Sequence, residues 1–456
     1  MRIIEILIVL VCVAFLLGNA NQPMTPRWAL LFAVLLAGLL ALQLLFEGWR
    51  LPFAPVYVVA IAILCTAPLA LRAPATTALF ASVLGLGLIG IGVLVCLLLP
   101  FLALPPPTGD YALGSTMLTL PASKGPEPVV QIWYPIARTP PTQTLTDLLE
   151  RRREHGWHAT PDLDTRRGAP LPAGEKFPVL LYFPGWPGTG LSNLLLIRDL
   201  ASHGFVVATV IYPSNSNRPM QDYASDATMQ RSVAANNERA TRNAEDGMRI
   251  LDLLARLDAQ NPGGAQNPGD AQIRAGVLAG HLDLAHTGVV GYSFGGAVAA
   301  ELSRLDARIG AAVNIDGRHW ATALEHGVQK PYLFIGEPLL MPDAAALASK
   351  DPATRYEAAL DQVDYRNLAV HLRENGGIQA SIAGTTHANF SDGSLSSHWR
   401  RLSGGGPIDA LRAHRILDAY VLAFFEQTLR GQPSSLLTGP SPEYPEVRLD
   451  RYGAGT

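Results

Sequence analysis

The chain has 456 residues, 48% of them hydrophobic, with 35 Lys and Arg against 38 Asp and Glu and a net charge of −3. That length calls for at least two structural units, and the near balance of charge excludes the basic surface that nucleic acid or another polyanion would need. The three cysteines, Cys12, Cys65 and Cys96, all fall in apolar runs, which leaves the polar remainder with no disulfide and no cysteine metal site.

The hydrophobic excess lies before about residue 105, where charges are nearly absent. Four apolar segments can be marked off there: residues 3–17, 28–46, 53–71 and 77–104. The last three have the roughly 20 residues that a helix needs to cross a bilayer. Arg27, Trp28, Trp49, Arg50 and Arg72 stand at their boundaries, as residues that favour the interface do. The first segment is shorter and carries Glu5, and Gly18-Asn19-Ala20 resembles a signal-peptidase site; an uncleaved helix is the preferred reading. Four spans, or a cleaved signal and three spans, both put the following domain on the cytoplasmic side. The expected division is therefore a multi-pass membrane block over 1–104 and a second domain over 105–456.

Pro105-Pro106-Pro107 ends the last apolar run. Short apolar strands are predicted over 129–134, 179–183, 205–211, 287–291, 309–315, 331–335 and 378–383. Helices are predicted over 191–203, 229–257 and 295–305, and a final one near 408–429. Alternating strands and helices imply a mostly parallel sheet covered on both faces. Arg151-Arg152-Arg153 with Trp157 falls in an insertion, and AQNPG occurs twice, over 259–263 and 265–269; a solvated helix face and a duplicated surface loop account for them.

Gly291-Tyr292-Ser293-Phe294-Gly295 fits the G-x-S-x-G elbow, in which a strand turns sharply into a helix and presents a serine. The apolar strand before it and the small residues Gly296–Ala300 after it supply the required context, and the α/β-hydrolase fold follows. Serine needs a histidine to take its proton, and the histidine needs an acid to orient it. His387 is the preferred base, since its loop follows a strand and precedes the final helix. His281 and His286 precede the elbow, His319, His326 and His398 lack motif support, and His414 reads as a surface residue of that helix. Asp316 and Glu337, at the ends of successive strands, are both able to serve as the acid. Phe294 N–H and Trp186 N–H are the expected oxyanion donors; Pro187 has no N–H to give.

The stretch Val289–Gly296, together with Asp199–Ala208, Val313-Asn314-Ile315-Asp316 and Thr386–Asp392, resembles the platelet-activating factor acetylhydrolases of the lipoprotein-associated phospholipase A2 type. The resemblance covers about residues 110–430 and none of the apolar block. It favours Asp316 over Glu337 as the acid. It implies a cofactor-free serine esterase that cleaves short-acyl or phospholipid-like esters, with no metal. The family elbow usually reads GHSFGG, and a His-Gly pair usually stands where this chain has Pro184-Gly185. That departure bears on the support of the oxyanion site. A generic carboxylesterase or polyester hydrolase, and a membrane protein that uses a hydrolase fold only for binding, are the competing readings.

Overall fold

The structure is a computed structural model that describes residues 2–21, 24–67, 74–99, 104–120, 128–137, 165–186, 192–212, 220–259, 275–397, 399 and 403–453. The triple-arginine insertion, Pro187, His398 and nearly all of the AQNPG repeat lie outside those residues. Contacts divide the chain into two compact units, one built on Met1–Leu104 with Leu395–Trp399, the other on most of the remainder.

The first unit holds α1 (Ile3–Asn21), α2 (Pro26–Leu42) continued by a π turn (Gln43–Glu47), α3 (Ala54–Thr66) and α4 (Ala75–Leu98). Ile8, Cys12, Leu36, Val56 and Ile63 pack inward, while Leu30, Val34 and Phe80 are more than half exposed. Helices apolar on both faces suit lipid rather than water. α1, α2 with its π turn, and α4 are long and apolar enough to cross a membrane; α3 is shorter. The sequence reading had the first segment as the short one. It extends to 19 residues, and its Glu5 is fully buried because Arg2, at 2.8 Å, and Arg50, at 3.7 Å, neutralise it.

The second unit is one ten-stranded sheet. Its strands are β1 (Ala112–Thr119), β2 (Val129–Ile136), β3 (Arg166–Arg167), β4 (Phe177–Phe183), β5 (Val206–Ile211), β6 (Leu282–Tyr292), β7 (Ile309–Ile315), β8 (Tyr332–Gly336), β9 (Gly377–Ile382) and β10 (Val447–Tyr452). Their order is β10-β9-β8-β7-β6-β4-β5-β2-β1-β3. From β5 through β9 all neighbours are parallel, whereas β2 joins β5, and β10 joins β9, in antiparallel fashion. Every residue of β4 is buried, as a central parallel strand covered on both faces requires.

The covering helices are α5 (Leu194–Ser202), α6 (Asp226–Asp258), α7 (Phe294–Leu305), α8 (Ala321–His326), α9 (Pro352–Asn375) and α10 (Ala410–Arg430). Ser225 caps α6 by accepting from Thr228 N–H, and Asp409 caps α10 by accepting from Arg412 N–H. Leu181 and Val289 join Val298 and Leu302 of α7 in the core. Gly288, one residue along the strand from Val289, meets Phe425 and Leu429 of α10 on the other face. The strand order reverses at β4, since β5 lies on one side of it and β6 on the other. The crevice beyond the carboxyl ends of β4 and β6 is where such a sheet binds ligands. β1, the edge strands β3 and β10 and the long helix α9 were not foreseen in the sequence.

Candidate active site

β6 delivers Ser293 at the head of the crevice. The serine adopts φ 55°, ψ −124°, a conformation that non-glycine residues hold only under constraint. Its N–H donates to Ile315 O of β7 at 2.8 Å. Space around it is closed: a Cβ at Gly295 would lie 2.0 Å from Phe183 O, so only glycine lets β4 pass over the elbow. A Cβ at Gly185 would come 2.9 Å from Ser293 Cβ, so the segment that continues β4 runs directly against the serine.

His387 opens a short helical turn (His387–Phe390) after β9. Its Nε2 is 2.9 Å from Ser293 Oγ and its Nδ1 is 2.7 Å from Asp316 Oδ2. In the matching tautomer, Ser293 donates to Nε2 and Nδ1–H donates to Asp316. Asp316 ends β7 at φ 53° and its side chain is nearly buried. Its second oxygen accepts Glu337 N–H at 2.9 Å. The two carboxylates the sequence left in competition are thus both present, but in different places. Asp316 meets the imidazole, while Glu337 holds Asp316 through its backbone and lines the cleft beside it.

Partial burial works against a charged His387, but the Asp316 hydrogen bond and charge, with Glu337 behind them, outweigh it and hold the imidazole above its ordinary value. Burial also pushes the Glu337 carboxyl up, and the neighbouring Asp316 charge adds to the effect.

The expected oxyanion donors are placed as follows. Phe294 is the first residue of α7, so its N–H is among those that a helix cannot satisfy internally. Trp186 follows Gly185 on the segment packed against Ser293, with its side chain half exposed. Ser293, Phe294, Asp316, Glu337 and His387 line a cleft of about 350 Å³. Its other walls carry Tyr223, Trp320, Phe334 and Leu339 and the charged residues Arg318, Glu357 and Asp361. Arg318 pairs with Glu357 at 2.7 Å and with Asp361 at 2.5 Å.

Five other histidines among the described residues are engaged elsewhere. His281 bonds Glu175 O, and His286 bonds Asp283. His326 lies at the end of α8, exposed beside Glu325. His319 is buried between Asp364 and Tyr332. His414, expected on the surface, is buried next to Ser394, and burial lowers it to about 4. α10 turns that position toward the His387 loop rather than toward water.

Several residues that hold the site were not singled out in the sequence. Asn314 Oδ1 accepts Gly317 N–H and its amide donates to Gly317 O, each at 2.8 Å, which fixes the turn bearing Asp316. Asn followed three residues later by Gly is a β-turn signal that could have found it. Asn389 Oδ1 accepts Thr386 N–H and Gly406 N–H around His387. Asp392 Oδ2 accepts Leu194 N–H at the start of α5 and ties down the far end of the same loop. The Thr386–Asn389 bond is a local capping pair, whereas the bonds to Gly406 and Leu194 join separate segments and leave no local trace.

The chain matches the family described as "Platelet-activating factor acetylhydrolase, isoform II" over residues 156–434, more than half of its length. It is 26% identical to a probable 1-alkyl-2-acetylglycerophosphocholine esterase of Arthroderma benhamiae, over 59% of this chain and 65% of that protein. It is 22% identical to the platelet-activating factor acetylhydrolase of Canis lupus familiaris, over 49% of this chain and 50% of the other. With that of Cavia porcellus it shares 23%, over 57% and 59%. The match thus spans between half and about 65% of the length of these curated relatives. Among solved structures it is similar to a ferulic acid esterase from Streptomyces cinnamoneus, at 24% identity and a TM-score of 0.48, over 76% of this chain and 98% of that one.

The electrostatics of the site can be read without any reaction. An NMR titration should find His387 above the ordinary imidazole value of about 6.5. Asp316→Asn should bring it down, because the carboxylate that favours the imidazolium is gone; an unmoved pKa would mean that Asp316 does not face the ring in solution.

Proposed function

The chain belongs to the platelet-activating factor acetylhydrolase isoform II family, and from that premise we propose that it is a serine esterase acting on short-acyl or phospholipid-like esters, with Ser293 as nucleophile, His387 as base and Asp316 as acid. One observation carries the reading: the unbroken hydrogen-bond chain from Ser293 through His387 to Asp316, on a serine held at positive φ. In this reading His387 takes the Ser293 proton as Oγ attacks the ester carbonyl. Phe294 N–H and Trp186 N–H receive the oxyanion, and Asp316 stabilises the imidazolium. The proton then passes to the leaving alcohol. Water, deprotonated by His387, then attacks the acyl carbon; the bond to Ser293 Oγ breaks, His387 returns the proton to Oγ and the carboxylic acid leaves. Every step is met by the chain's own groups.

Ser293→Ala and His387→Ala should each lower kcat by a factor on the order of a thousand or more, since such groups act as a unit. Asp316→Asn should be comparably severe because the imidazole loses its tautomer, and Glu337→Gln should cost only a factor of a few. Labelling of Ser293 by a fluorophosphonate, abolished in Ser293→Ala, completes the test. Full activity of purified Ser293→Ala would end the proposal.

The cleft supports short acyl groups. About 350 Å³ is near the small end of ligand sites, about 300–1,000 Å³, and its walls are as much polar as apolar. Each buried methylene adds about 0.8 kcal/mol of binding only while apolar room remains, and a long chain would strip water from Glu337, Glu357 and Asp361 without replacing it. Across p-nitrophenyl esters, kcat/KM should peak between acetyl and butyryl. A steady rise to palmitate would indicate a lipase instead.

We read the apolar unit as an integral membrane anchor of four spans. Arg2 favours a cytoplasmic start, and four crossings, with the shorter apolar helix over 51–66 counted as one of them, return residue 108 to that side. A C-terminal reporter active only in the periplasm should therefore be silent; its activity would reverse the assignment.

A further inference from the structure

Tyr292 occupies the unconstrained second position of the elbow, yet two of its contacts fall on the base. Its ring stacks on the His387 imidazole, with centroids 5.0 Å apart and planes at 26°. Its hydroxyl donates to the His387 backbone carbonyl at 2.9 Å. The side chain is buried, and a Cβ at Gly185 would lie 3.1 Å from its ring, so the segment after β4 closes over it. Burial, with the Asp316 and Glu337 charges adding to it, keeps the phenol protonated throughout the working range, so the hydroxyl is a permanent donor. The residue next to the nucleophile in the chain thereby grips the base from β6, while Asp316 grips it from the end of β7.

We propose that Tyr292 is a positioning residue for the base: it fixes the His387 main chain through its hydroxyl and steadies the imidazolium through its ring. The inference rests on the serine-esterase reading above. His387 is half exposed and its loop hangs from β9, so Asp316 alone would leave the ring free to pivot about one hydrogen bond. The stack restricts that pivot. The electron-rich ring face also favours the charged imidazolium that forms as Ser293 attacks. The other charged groups facing this space are Asp316 and Glu337 beside the imidazole, with Arg318, Glu357, Asp361 and Asp364 also lining the cleft.

The two contacts can be removed separately in the full chain. Tyr292→Phe keeps the stack and loses the hydroxyl; kcat should fall about five- to tenfold, the effect of one buried hydrogen bond. KM and the acidic limb of the kcat/KM–pH profile should stay in place. Tyr292→Leu loses both contacts; kcat should fall roughly a hundredfold. Its acidic limb should also move to lower pH, because a stabiliser of the protonated base has gone. Wild-type kcat in both variants would overturn the proposal, as would a slowed Tyr292→Leu whose limb has not moved. If circular dichroism finds Tyr292→Leu unfolded, Tyr292→Phe decides alone, and an unchanged kcat there overturns it. Ser293→Ala assayed alongside separates the two levels. Activity in that variant refutes the esterase reading, whereas an inactive Ser293→Ala beside fully active Tyr292 variants refutes only the role of Tyr292.

Discussion

The constraint on which this fold turns is the contact between the end of β4 and the elbow after β6. Ser293 is held at φ 55° because its N–H is taken by β7 and its surroundings are filled by the backbone of Phe183 and Gly185. A strained residue persists only where its neighbours over-determine it, at a cost of about 1–3 kcal/mol. The supply is evident here: β4 and β6 are buried central strands in parallel register from Val179–Thr287 to Phe183–Gly291. The same packing leads the chain after β4 past the serine, where Trp186 N–H is proposed to act. In the proposed mechanism, nucleophile and oxyanion donor are therefore positioned by one contact.

The proposed acid is set by a second geometric choice. Asp316 and Glu337 end adjacent strands, and both fall within the field of His387. Asp316 wins the imidazole because it turns at φ 53° immediately beyond β7, next to the elbow, and is braced by Asn314 through Gly317. Glu337 then serves Asp316 through a backbone N–H. A carboxylate that accepts from a backbone amide as well as from the imidazole has less freedom to swing away.

The sequence made the centre of the sheet legible and its periphery obscure. Residues 309–315 were placed to the residue, and β4 to β9 within a few positions, because a parallel strand buried on both faces is a continuous apolar run bounded by turns. β10 reads RLDRY over most of its length and lies at the sheet edge with much of its surface in contact with water, so composition gives it no signature. α9 is polar over most of its surface and has few buried residues, which weakens the helical period that would reveal it. The site shows the same division. Ser293, His387 and Asp316 sit in local motifs, whereas Tyr292, Asn389 and Asp392 act through contacts between segments far apart in sequence. His414 was misjudged for a related reason. A histidine in an amphipathic helix gives no indication of which neighbour covers it.

Buried charge follows one rule in both units and has opposite consequences. Around α1, Glu5 is enclosed by Arg2 and Arg50, and Glu47 meets Arg2 at 3.3 Å, so two carboxylates face two guanidinium groups. Arginine remains charged at any working pH, so its pairing with those carboxylates serves to hold the helices together. In the cleft, the nearly buried Asp316 is matched with a half-exposed imidazole, a group able to take up and release a proton. The same electrostatic requirement, that a carboxylate out of water be paired, thus yields a static clasp where the partner is arginine. Where the partner is a histidine that can also reach a serine hydroxyl, the pair can accept a proton and return it.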